Sequence, residues 1–149
     1  MCRNRTGRRR RLPLRPDRER LRRIGLDVHT LPAGGSEVLE GLIPIQREDL
    51  VLLFGFSKVS SEGRVILDYG KEIGFITLLF TGRLYPEKEQ QADIRLFVYR
   101  GEENEYHSMS APAAVVDALV IALSAQMGAE AVENLDAVQK LKERYRKQF

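Results

Sequence analysis

A chain of 149 residues that is 43% hydrophobic and 30% charged has the composition of one ordinary globular domain, large enough for one core and too small for two. Its single cysteine, Cys2, excludes an internal disulfide and Cys-x-x-Cys zinc sites, and nothing argues for an oxidising compartment, so the expected location is cytoplasmic. The net charge of +3 hides a split, because the first 24 residues hold eleven Arg against Asp17 and Glu19, or +9, whereas the other 125 hold 13 basic and 19 acidic residues, or −6.

Met1 to Ile24 reads as a basic, disordered arm, since Arg8, Arg9, Arg10 and Arg11 repel one another and few apolar groups offset the cost of ordering. At its end, Pro16 to Ile24 has the charge order of a short helix, acidic at Asp17 and Glu19 and basic at Arg22 and Arg23, with Gly25 able to stop it. Residues 1–24 are thus an expected arm and 25–149 an expected single domain. Leu26 to Arg47 is a connecting region rich in Gly and Pro, in which Ser36 is placed to cap a short turn running to Leu42.

Four segments rich in β-branched, Leu and aromatic residues then read as strands: Asp49 to Lys58, Gly63 to Tyr69, Glu72 to Arg83 and Ala92 to Arg100. The breaks between them, Ser60-Ser61-Glu62-Gly63, Gly70-Lys71 and Pro86 to Gln91, are short and suit hairpins. A fifth short strand is placed at Glu105 to Met109. After Ser110, a plausible N-cap, and Pro112, an Ala-rich helix runs to Met127, and a second follows from Ala129 to about Lys147. In the second helix Val132, Leu135, Val138, Leu141 and Tyr145 recur at helical spacing and form its expected covering face. The predicted fold is therefore α+β, an antiparallel meander of four to five strands followed by two C-terminal helices.

One pattern sits badly with a half-wet sheet. Leu50, Leu52, Phe54 and Phe56 point one way, yet Val51 and Leu53, which point the other way, are apolar too. The later strands repeat this, so both sheet faces call for a cover. The two helices supply one, and either the segment carrying Leu26, Val28, Leu31, Val38, Leu39, Leu42 and Ile43 or a partner molecule supplies the other. The helix from Ala111 to Met127 is expected to be buried, not to span a membrane, because it is short and contains Asp117, Ser124 and Gln126.

Catalytic constellations are scarce. With only His29 and His107, no His-rich metal site can be built, and neither a zincin nor an EF-hand motif is present. Adjacent side chains on a strand diverge, so His107 and Ser108 do not meet as base and nucleophile, and Ser110 is better used at the helix start. Gly63 to Gly70-Lys71 has six residues between its glycines where a Walker loop has four. No cofactor, metal or catalytic residue is therefore assigned.

The strongest signal is the arm, in which Arg3, Arg5, Arg8, Arg9, Arg10 and Arg11 match phosphate oxygens in charge and geometry and form a candidate nucleic-acid-binding set without any base-reading device. The first functional reading is a non-catalytic binding or assembly module that self-associates or meets a protein partner through an apolar face. The alternatives are a nucleic-acid-associated protein that uses the arm for sequence-independent phosphate binding, and a small ligand-binding protein or enzyme with an unrecognised pocket.

Overall fold

Strand and helix alternate over the first half of the chain, and that order decides the architecture. The structure, a computed structural model, describes residues 10–11, 15–32, 34–82, 91–102 and 104–148, and residues 10, 11 and 15–17 through their backbone only. In chain order the elements are β1 (Arg10–Arg11), α1 (Arg15–Arg23), β2 (Val28–His29), α2 (Glu37–Leu42), β3 (Leu50–Gly55), α3 (Ser61–Ile73), β4 (Ile76–Thr81), β5 (Ile94–Phe97), α4 (Ser110–Met127) and α5 (Ala129–Tyr145). The strands form one sheet in the order β2-β1-β3-β4-β5, and every pairing is parallel. Leu50 to Gly55 run in register with Ile76 to Thr81 and make the longest ladder.

An antiparallel meander is therefore replaced by a parallel, helix-covered sheet, and the expected α+β class by α/β. The decisive element is α3, because residues Gly63 to Tyr69, expected as a strand, are helical. Ser60 caps α3 by accepting a hydrogen bond from the Gly63 N–H at 3.1 Å, and Gly74 ends it at φ +86°. The glycines that read as hairpin breaks are close-approach positions inside this helix. A Cβ on Gly63 would lie 2.5 Å from Val59 Cγ1, and one on Gly70 would lie 2.9 Å from the Phe75 ring. Local β preference in Val65-Ile66-Leu67 yields to the burial of Ile66 and Leu67 against the sheet.

The two apolar faces of each strand now have covers. On one, Leu52, Leu78 and Phe80 pack with Leu21, Ile24, Leu26, Val28, Val98, Val116 and Ala131, which come largely from α1, α4 and α5 and their connections. Phe54 stacks on Phe80 with ring centroids 4.5 Å apart. On the other face Val51 packs with Val38, Leu42, Ile45, Ile66 and Phe75, while Leu79 packs with Val59 and Leu67. The result is three layers, helices on both sides of a parallel sheet.

The described part of the segment read as an arm is built into this domain. Arg10 and Arg11 pair with Val28-His29 on one side and Leu50-Val51 on the other, and α1 buries Leu21 and Ile24 in the core. Gly25 follows at φ +94°, close enough to Asn134 that a Cβ would lie 2.2 Å from its amide nitrogen. Arg3, Arg5, Arg8 and Arg9 lie outside the described residues.

The chain from Asn104 to Met109 is irregular, so no strand forms where the fifth was expected. Of the helix expected to be buried, only Pro112 and Val116 are fully so, and by length and composition alone α4 could cross a membrane. The covering face of α5 also differs from expectation: Ala131 is buried, while Val132 is 60% and Leu135 42% exposed.

Candidate functional site

In a doubly wound sheet the chain turns one way from a central strand and then returns to its other side, which opens a crevice at the carboxyl ends of the strands. Here β2 and β3 flank β1, and at that end lie the turn after β3, Gly82 after β4 and the loop after β5. The first is the five-residue turn Phe56 to Ser60. Val59 is buried and pins it, leaving Ser57, Lys58 and Ser60 exposed. After β4, the Gly82 N–H donates to the Phe56 carbonyl at 3.0 Å, an approach so close that a Cβ on Gly82 would lie 2.6 Å from that oxygen.

The turn feeds the N-terminus of α3, where backbone N–H groups favour negative charge. Glu62 already responds to that field. Its carboxyl is held below the usual range, first by its own backbone N–H, then by the Ser60 hydroxyl and, more weakly, by Ser61 and the Gly35 N–H.

The third wall is the loop after β5. Arg100 lies over the Phe56 ring, its guanidinium carbon 4.6 Å from the centroid. Its Nε donates to the Ser108 carbonyl and one Nη to the His107 carbonyl, both at 3.3 Å. Tyr99 donates its hydroxyl to Glu102 at 2.8 Å, and this bond raises the tyrosine's pKa. His107 Nε2 lies 3.2 Å from the Glu102 carbonyl, which can only accept. Between these walls is a cavity of about 340 Å³ lined by Phe56, Ser57, Gly82, Arg100, Glu102 and His107.

Of the candidates from the arm, Arg10 and Arg11 are described through their backbones alone, which pair within the sheet. His107 does reach the cavity, but it bonds a carbonyl, and no serine nucleophile is placed against it. His29 pairs with Asp27 at 2.8 Å in an exposed position. Among the described residues no group of three His, Cys, Asp or Glu could hold a metal ion. The sequence reading missed Ser57, Ser60 and Arg100. The signal for the first two was there: a polar G-F-S-K-V-S-S-E segment directly after an apolar strand is also the start of a capped helix.

No protein-family model and no curated protein matches this chain. Solved structures do, and the likeness they show is one of α/β fold. The sugar isomerase domain of an RpiR transcription factor from Sphaerobacter thermophilus superposes with a TM-score of 0.76 at 18% identity, covering 93% of this chain and 80% of that one. The Vibrio vulnificus NanR protein complexed with ManNAc-6P gives 0.70 at 13%, covering 92% of this chain and 55% of NanR. E. coli CFT073 c3406, also solved as a complex, gives 0.62 at 18%, covering 81% and 71%. At these identities the likeness is one of fold.

Proposed function

We propose that this chain binds a small phosphorylated sugar in the crevice at the carboxyl ends of β3, β4 and β5. The carrying observation is the cavity in which Ser57, from the turn that leads into α3, and Arg100, from the loop after β5, face the same space. A phosphate there is offered the Ser57 hydroxyl and the Arg100 guanidinium, while Phe56 supplies apolar wall beside them. A protein of similar fold, NanR, was solved complexed with ManNAc-6P, and this supports ligand binding over a purely structural assembly role. The test is calorimetric titration of the full chain with ManNAc-6P and a panel of pentose and hexose phosphates. Binding that weakens about tenfold in Ser57→Ala, for the loss of one hydrogen bond to a charged group, is the expected result. Failure of every phosphorylated sugar to bind at millimolar concentration overturns the reading.

A second reading, compatible with the first, is self-association through α4 and α5. The outer face of α4 exposes Ala114, Ala118, Ile121 and Ala125, and its one charged residue, Asp117, is paired with Arg20. Along α5, the stripe that begins at buried Ala131 continues through Val138 to Leu141 and Tyr145, which are 57% and 39% exposed. A helix whose apolar stripe outruns its support is completed by a second copy of the chain, which covers both faces at once. Light scattering over a concentration series tests this, and a strictly monomeric mass at high micromolar concentration overturns it.

A further inference from the structure

We propose that Arg100 is the ligand-reading arm of this crevice, and that it meets an oxyanion, either phosphate or carboxylate, of the bound molecule. The inference rests on the phosphosugar reading and goes beyond it by naming the group that carries the charge. A guanidinium has five N–H groups. In Arg100 two of them bond the Ser108 and His107 carbonyls, and no described residue takes the other three. Among the described residues the neighbouring carboxylates are engaged elsewhere, Glu102 with the Tyr99 hydroxyl and Glu105 with the Glu102 N–H.

The side chain is also fixed before any ligand arrives. The contact with the Phe56 ring and the bonds to two carbonyls hold the guanidinium in place, so binding costs little side-chain ordering. Arg100 is half-buried at the cavity wall, where its charge is less screened than on an open surface. A planar fork matches two oxygens of a carboxylate or phosphate, which a lysine ammonium cannot do. His107 lines the same cavity, with its Nε2 3.2 Å from the Glu102 carbonyl. The ligand class is then an anion, and an unphosphorylated sugar binds more weakly than its phosphate.

The experiment titrates wild type, Arg100→Lys and Arg100→Gln of the full chain with ManNAc-6P, with unphosphorylated ManNAc and with 6-phosphogluconate, and follows the Arg100 Nε–H resonance during titration with inorganic phosphate. Removing a charge-assisted bond weakens anion binding about 10- to 100-fold in Arg100→Gln, and the Nε–H resonance shifts on adding phosphate. Arg100→Lys recovers only part of the affinity, because it keeps charge without the fork. Loss confined to 6-phosphogluconate assigns the carboxylate to Arg100, and equal loss for both phosphorylated probes assigns the phosphate. Thermal unfolding of each variant separates a loosened loop from a lost ligand contact. Wild-type-like affinity of folded Arg100→Gln for both probes overturns the inference while leaving the phosphosugar reading intact. If no phosphorylated sugar binds wild type, that reading fails by itself, and the Nε–H resonance decides this one: a phosphate-dependent shift supports it and none overturns it.

Discussion

Helices α3 and α4 cover opposite faces of the same sheet, and their outer faces differ in kind. On α3, Ile66 and Leu67 go inward while Arg64, Asp68, Lys71 and Glu72 meet water, and Lys71 pairs with Asp68 at 3.6 Å. On α4, Val116 goes inward, but the outward residues Ala114, Ala118, Ile121 and Ala125 are as apolar as a core. A helix that ends its layer at solvent needs a polar outer face. The contrast teaches that α3 terminates the molecule on its side, whereas α4 is suited to a further layer.

The largest expected effect breaks the layer that both helices share. Phe80 is fully buried and stacked on Phe54, so Phe80→Ala destabilises by about 3–5 kcal/mol in urea unfolding. Ile121→Ala, on the outer face of α4, shifts monomer stability by about 0.5 kcal/mol or less. Comparable losses would mean that α4 is buried within one chain.

Next comes association. Ile121→Glu places a charge in the proposed contact and yields a monomer by light scattering, whereas Val65→Glu on the outer face of α3, where Val65 is 41% exposed, leaves the mass unchanged. If both variants keep the wild-type mass, the proposed difference between the helices is wrong.

A smaller effect comes from the helix starts. Ser60 caps α3 through the Gly63 N–H, so Ser60→Ala costs about 1 kcal/mol, while Ser110 makes no cap on α4 and Ser110→Ala costs a few tenths, both read from chemical denaturation.

The smallest is a pH effect beside α3. Asp93 is pushed up by burial, but stronger in sum are the bonds from the Thr77 hydroxyl and N–H, which leave its carboxyl below the ordinary 3.8. A depressed folded value gives stability that is fully present above pH 3.8 and is lost as pH falls through the lower folded value. Asp93→Asn should flatten acid unfolding in that window, and an unchanged acid limb would count against it.

Much of this was legible in residues already singled out. The two-sided apolar pattern of Leu50 to Phe56 is the mark of a parallel sheet buried on both faces, so the observation was sound and only its consequence, a meander, was wrong. What misled was length and punctuation. Gly63 and Gly70 read as turn glycines, and the Val65-Ile66-Leu67 run between them reads locally as strand. Arg100 was legible only as one more charge, because its partner ring, Phe56, is 44 residues away in the chain.

By itself the sequence determined where the apolar faces lie, that both sides of the sheet need covering, and that two helices close the chain. These follow from local periodicity and from the chemistry of each segment. Tertiary structure decided that residues 61–73 cross over the sheet as a helix, since only contact with Phe75, Thr77 and Val59 explains its glycines. It also decided the site, because a cavity lined by residues that follow three different strands exists only once parallel pairing has brought their carboxyl ends to one edge.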